Sequence, residues 1–181
     1  HRLDLSISNR GRPVILIGGK NGAGKTTILD AIQLALYGRR ASVSKRSGAY
    51  ERYLRESVNR NAGPEELASV SLRFSTVRDG LVRRYHLCRS WSGTASVQER
   101  LEVSVDGVPD SLLGAQWPDH VEEILPLGVS RLFLFDGEQI KDFADPAAAA
   151  DSLRTGVRVL LGREQIEQLI GGLMVSKFFA H

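Results

Sequence analysis

The sequence predicts an α/β fold, in which a strand, a glycine-rich loop and a helix lie beside an antiparallel sheet. Three observations carry this prediction. The apolar run 14–17 leads at once into glycines, residues 26–37 form an almost wholly apolar helical stretch, and residues 68–107 contain three alternating stretches. A continuous apolar run is typical of a strand covered on both faces, whereas alternation is typical of a half-exposed strand.

The composition is that of an ordinary globular domain of 181 residues, with 42% hydrophobic residues and a net charge of +3. The mild basic excess permits contact with nucleic acid but does not argue for it. Cys88 is the single cysteine, so an internal disulfide is excluded and a reduced, cytoplasmic setting is expected. We expect an inert, half-buried thiol there. No apolar run approaches the length of a membrane span, and no membrane partner is expected.

The N-terminal elements follow from the apolar pattern. Residues 3–7 alternate and predict a half-buried strand, whereas the run 14–17 predicts a buried one. The helix over 26–37 is apolar nearly all round, which is typical of a buried helix. Gly38 ends it. Residues 39–60 start as a basic loop and turn helical near Tyr50.

The second half predicts a sheet and then helices. Asp79-Gly80 is a hairpin signal between two alternating runs, and Asp106-Gly107 ends the third. A short helix is predicted over 118–125 and a buried strand over 132–135. Asp145-Pro146 is a favourable start for a further helix that ends near residue 162.

The loop between the predicted strand and helix matches the pattern Gly, any four, Gly-Lys-Thr. Its backbone N–H groups can converge on phosphate oxygens, where glycine is needed because a side chain would block the approach. The positive end of the following helix adds to this. We expect Lys25 to reach the β and γ phosphates of ATP, Thr26 to bind Mg²⁺, and Thr27 to donate to the α phosphate. The expected nucleotide-binding residues are Gly19, Asn21, Gly22, Ala23, Gly24, Lys25, Thr26 and Thr27.

The alternative is a glycine-rich turn with an incidental lysine. The loop follows an apolar strand pattern and opens a helix, which is the context that the phosphate-binding motif requires. This context favours the phosphate loop.

The stretch 22–32, GAGKTTILDAI, resembles the P-loop of the SMC, RecN and RecF class of ATPases, which are relatives of the ABC ATPases. The stretches 33–41, QLALYGRRA, and 132–140, LFLFDGEQI, are similar to the DndD family, the SMC-like ATPases of the bacterial DNA phosphorothioation system. The resemblance runs from residue 3 to about 169.

The resemblance implies the N-terminal lobe of an ABC/SMC-type head over residues 1–170, with 171–181 starting a coiled-coil connection or a tail. It also implies a second lobe that carries a signature motif and a Walker B acidic pair, neither of which is evident in this sequence. The chain is then half of a head, which alone should bind nucleotide weakly and hydrolyse it poorly. The implied partners are DNA, a second head in a homodimer with ATP sandwiched between the heads, and other Dnd proteins.

The segment Asp136-Gly137-Glu138 allows three interpretations. By resemblance, Asp136 stands where the Q-loop glutamine would contact Mg²⁺ and the attacking water, and Gln139 follows three residues later. As a Walker B motif, Asp136 would bind Mg²⁺ and Glu138 would activate water. The third interpretation is an Asp-Gly turn at the end of a strand. The candidate catalytic residues are Lys25, Asp136 and Gln139, and the candidate metal ligands are Thr26 and Asp136.

The basic segment 39–60 also has two interpretations. It could contact the DNA backbone, or it could be a solvated helix face with Glu51–Arg55 and Arg52–Glu56 pairs. His86 and His120 lack companions at metal-binding spacing, so no zinc site is expected.

Four functions are compatible with these patterns. The resemblance favours an ATPase that powers or regulates DNA phosphorothioation. A general repair ATPase of the RecN or RecF type shares the same chemistry. A binding module would use nucleotide occupancy only to switch its DNA affinity. A P-loop kinase is the fourth, and the long antiparallel insertion argues against it.

Overall fold

The computed structural model describes residues 2–6, 14–20, 22–41, 50–59, 61, 63, 66–78, 80–93, 97–130 and 133–134. Within them four strands form one antiparallel sheet in the order β1-β2-β3-β4. The strands are β1 (Leu67–Arg78), β2 (Leu81–Ser92), β3 (Glu99–Val105) and β4 (Val108–Pro109). The helices are α1 (Lys25–Tyr37), α2 (Tyr50–Glu56), α3 (Ser111–Ile124) and α4 (Leu127–Ser130), with a 3₁₀ turn at Gly38–Arg40.

The sheet confirms the three alternating runs as strands. β1 and β2 pair along their whole length, from Leu67 opposite Ser92 to Arg78 opposite Leu81. The turn after β3 contains Asp106 at φ 51° and Gly107 at φ 87°, and two positive φ angles in succession match a hairpin turn. This turn leads into β4, a two-residue strand that the sequence did not predict.

One face of the sheet packs against α1 and α3, because the alternating side chains of the strands point to that side. Leu87 and Val103 from the sheet join Leu36 of α1 and Trp117 of α3 in one buried cluster. The indole N–H of Trp117 donates to the Leu36 carbonyl at 2.8 Å. The buried aromatic ring therefore also fixes α3 against the C-terminal turn of α1.

A second buried cluster joins α1 to α2 and the far end of β2. It contains Leu34, Tyr50, Leu54 and Trp91. The indole N–H of Trp91 donates to the Leu54 carbonyl at 2.8 Å. The predicted helix near Tyr50 is confirmed, and Cys88 is half-buried with a free thiol, as expected.

The two predicted N-terminal strands are wrong in the described residues. Residues 2–6 and 14–20 have no regular secondary structure, and Val14 and Leu16 are 80% and 92% exposed. A strand exists only when its backbone groups pair with a neighbour, and the sheet of β1 to β4 does not reach this segment. The helix prediction over 26–37 is confirmed, although α1 is buried only from Gln33 onward.

The helix predicted from Pro118 begins seven residues earlier, at Ser111. Asp110 is its N-cap, and the carboxylate accepts the backbone N–H of Leu113 at 2.8 Å. Pro118 lies inside α3, so the prediction of a helix start at that proline was wrong. The cap at Asp110 was the stronger signal, because its side chain satisfies an otherwise unpaired N–H.

The described part of the predicted strand 132–135 is a turn. The backbone N–H groups of Phe133 and Leu134 both donate to the Ser130 carbonyl, at 3.1 and 2.7 Å. These bonds close the end of α4 and leave Phe133 exposed. The predicted helix after Asp145 lies outside the described residues. Among the described residues, no helix has the length and apolar character that crossing a membrane demands.

Candidate nucleotide-binding site

The phosphate loop bends at two glycines before α1 begins at Lys25. Gly22 and Gly24 have φ angles of 80° and 85°, a left-handed conformation that favours glycine because it lacks a Cβ. The Ala23 N–H donates to the Lys20 carbonyl at 3.1 Å and closes a tight turn. A Cβ on Gly19 would lie 3.1 Å from the Ala23 side chain, so the loop is compact where the motif requires glycine.

Lys25 folds back across this loop. Its ammonium donates to the carbonyls of Gly19 at 2.7 Å and of Lys20 at 2.8 Å. An ammonium carries three N–H donors, so a third is available for an oxygen at the mouth of the loop. The side chain is exposed. The motif lysine is thus held at the first glycine of the loop with its charge toward solvent.

The first turn of α1 adds two hydroxyls and a positive end. Thr26 and Thr27 are exposed there, and Thr27 Oγ1 lies 3.8 Å from the position of a Cβ on Gly24. No acidic residue occupies this first turn, so no side-chain carboxylate within it competes for the unpaired N–H groups at the helix start. The arrangement suits a bound anion.

The structure brings together Gly19, Gly22, Ala23, Gly24, Lys25, Thr26 and Thr27. The other predicted site residues, Asn21, Asp136 and Gln139, lie outside the described residues, as does Glu138.

Gln33 is a polar residue that the sequence analysis passed over. It is 4% exposed on the otherwise apolar α1, and its Nε2 donates to the Leu134 carbonyl at 3.1 Å. This bond ties the phosphate-loop helix to the turn that precedes Asp136. The signal available in the sequence was one amide side chain within an apolar helical run.

The C-terminal half of α1 is held by further side-chain bonds. Tyr37 donates its hydroxyl to the Leu125 carbonyl at 2.8 Å, and burial raises the pKa of this phenol. Arg40 donates to the Pro118 carbonyl at 3.0 Å and pairs with Glu122. These two side chains hold residues 118–125 against the end of α1 and the turn that follows it.

Arg89 of β2 lies against the end of α1. It is 8% exposed, pairs with Glu99, and has its guanidinium next to Gly38. Glu99 also accepts the Tyr50 hydroxyl at 2.7 Å, and desolvation beside this carboxylate raises the pKa of Tyr50. This group couples β2, β3 and α2 behind the nucleotide-binding helix.

The described part of the basic segment forms ion pairs with its neighbours. Arg39 pairs with Glu51 at 2.8 Å and lies 4.9 Å from the centre of the Tyr50 ring. His86 and His120 form hydrogen bonds with Ser71 and Tyr85, respectively. Across the residues that the structure describes, no group of three His, Cys, Asp or Glu could hold a metal ion.

The chain is similar in sequence to known proteins. The family profile of the AAA domain matches residues 1–170. A segment of 63 residues is 41% identical to one of the subunits of the nuclease SbcCD from Treponema pallidum (strain Nichols). That alignment covers 35% of this chain and 5% of the relative. The chain belongs to the AAA-domain family and is a P-loop NTPase.

Proposed function

We propose that this chain is the nucleotide-binding half of an SMC-like ATPase head that hydrolyses ATP. The observation that supports it most is the geometry of the loop. Two glycines at positive φ, the folded-back Lys25 ammonium and an uncovered helix start converge at one point. Each of these groups favours the triphosphate of a nucleotide.

The residues of the loop would have separate tasks. Backbone N–H groups of the loop, with that of Asn21 among them, would hold the β and γ phosphates, and Thr27 would donate to the α phosphate. Lys25 would neutralise their charge, and the hydroxyl of Thr26 would bind Mg²⁺, for which oxygen ligands are preferred. When bound, Mg²⁺ would neutralise the negative charge that develops on the phosphates during hydrolysis.

We further propose that Asp136 or Gln139 contacts Mg²⁺ or the attacking water. The bond between Gln33 and the Leu134 carbonyl supports this. Gln33 lies eight residues beyond Lys25, about 12 Å along a helix axis. The five residues from 135 to 139 can span up to about 17 Å, so Gln139 is within reach of the phosphate loop.

The exposed apolar residues before the loop favour the proposal that the head has a second lobe. Val14, Ile15, Leu16 and Ile17 are all exposed, and contiguous exposed apolar surface of this kind marks an interaction site. We propose that a further part of the protein covers this segment and completes the head. Two such heads would then bind ATP between them.

Two biological roles fit this chemistry. The stretches 33–41 and 132–140 support a role in DNA phosphorothioation with other Dnd proteins. The identity with part of a nuclease favours a repair ATPase that acts with a nuclease on DNA. Deleting its gene from the source cells distinguishes these two roles. Loss of phosphorothioate from the DNA, measured by mass spectrometry, supports the first role, and sensitivity to double-strand breaks with unchanged phosphorothioate supports the second.

Nucleotide binding is tested with Lys25→Ala against Lys20→Ala. Both substitutions remove one positive charge from the same loop, but only the Lys25 ammonium bridges the loop carbonyls. We expect Lys25→Ala to weaken Mg²⁺–ATP binding at least about 100-fold in titration calorimetry, and Lys20→Ala to change it about twofold or less. Equal losses in both variants would show that net charge, and not the motif lysine, binds the nucleotide.

A further inference from the structure

We propose that Gln33 is a positioning residue, which holds the turn at Phe133 and Leu134 against the phosphate-loop helix α1. The inference rests on the proposed function and concerns its regulation. It starts from a single hydrogen bond between the side-chain Nε2 of Gln33 and the carbonyl of Leu134. The bond joins two points 101 residues apart in sequence.

Packing alone does not explain why a glutamine occupies position 33. It begins the buried half of α1, and the residues that follow it in the core are apolar or aromatic, as at Leu34, Ala35 and Leu36. An amide costs free energy to bury unless its polar atoms are paired. A leucine or methionine would fill the same space without that cost, so the amide at this position calls for a bonding role.

The second observation is that the pairing is only half complete. Gln33 Oε1 is buried, and within the described residues it accepts no hydrogen bond. A buried acceptor without a donor is uncommon and is costly to keep. Because this cost is not offset by a bond to Oε1, the contribution of the amide is the bond that its Nε2 donates to the Leu134 carbonyl.

The turn that Gln33 contacts is itself well held on its N-terminal side. The backbone N–H of Leu134 donates to the Ser130 carbonyl at 2.7 Å, and the Leu134 side chain packs against the main core cluster. The Leu134 carbonyl is therefore a fixed attachment point. Gln33 therefore bonds α1 to a fixed point that is two residues from Asp136 in the sequence.

The test uses the full-length protein with Gln33→Met, and Tyr37→Phe as the matched control. Methionine keeps the length of the glutamine side chain and removes its polar atoms. Tyr37→Phe likewise removes one donor from α1 to a carbonyl, that of Leu125, and keeps the bond between Gln33 and the Leu134 carbonyl. The two variants thus lose equivalent bonds from one helix, four residues apart.

Hydrogen exchange without nucleotide and steady-state ATP turnover are the two readouts. For Gln33→Met we expect the amides of Phe133 and Leu134 to exchange about 10-fold faster. We expect kcat to fall about 10-fold or more and the Kd for ATP to stay within about twofold. Tyr37→Phe should leave both the exchange of these amides and kcat near the wild-type values.

Unchanged exchange in Gln33→Met would overturn the proposal. So would equal effects of Tyr37→Phe, because general docking of α1 would then explain them. If the wild-type protein shows no ATP turnover that depends on Lys25, the proposed function is refuted. The comparison of hydrogen exchange would still decide whether Gln33 holds the turn at Phe133 and Leu134.

Discussion

At the scale of single residues, Gly38 shows how closely the support of the site is packed. Its φ of 54° lies in the left-handed region, and a Cβ there would fall 2.7 Å from Arg89 Nη1. Gly38→Ala should therefore lower the free energy of unfolding by about 3 kcal/mol, through backbone strain and displacement of the buried guanidinium. Urea denaturation followed by circular dichroism measures this loss.

Gly80→Ala is the control for the backbone contribution. Gly80 also has a positive φ, of 76°, but a Cβ there would meet nothing within 4 Å. We expect a loss of about 1 kcal/mol. Equal losses at the two positions would mean that the contact with Arg89 carries no weight, and that strain alone explains both.

At the scale of elements, α3 depends on its N-cap. The Asp110 carboxylate accepts the Leu113 N–H at 2.8 Å, and Asp110→Ala should cost about 1 kcal/mol. Asp119→Ala, an exposed change inside the same helix, should cost less than about 0.5 kcal/mol. Thermal unfolding of both variants gives the comparison. A larger loss at Asp119 would contradict the capping role.

The elements that the sequence predicted well are those whose signals are local. The alternation in β1 to β3 and the stop at Gly38 depend on neighbouring residues, and both are present in the structure. The extent of α3 was missed because the N-cap at Asp110 and the packing of Trp117 and Val121 into the core, and not Pro118, set where this helix begins. The loop glycines were predictable because only glycine tolerates their φ angles.

At the scale of the whole molecule, the predictions were wrong or incomplete where the structure depends on residues that are distant in the sequence. The run 14–17 has the pattern of a buried strand, yet it is exposed beside the loop. An apolar pattern does not specify which segment the strand would pair with. The Gln33 contact was equally hidden, because it joins positions 101 residues apart. The pattern of residues was therefore sufficient for the glycine turns of the loop and the helix that follows, whereas the support behind them required the structure.

The exposed run also yields a prediction about the complete head. Leu16 is 92% exposed in this chain, so Leu16→Lys should change its own unfolding free energy by less than about 0.5 kcal/mol. If a second lobe covers the run in the full-length protein, the same lysine becomes buried there. Burying an unpaired ammonium is strongly unfavourable, and we expect full-length ATP turnover to fall by about 10-fold or more.

Val108→Lys is the matched control. Val108 is 67% exposed and lies on β4, the last strand in the sheet order. This substitution should be tolerated in both the 181-residue chain and the full-length protein. Turnover and thermal unfolding of all four proteins decide the matter. If Leu16→Lys leaves the full-length enzyme unchanged, the run remains in solvent there, and an apolar second lobe does not pack on it. A selective loss instead identifies this segment as the surface on which the ATPase site is completed.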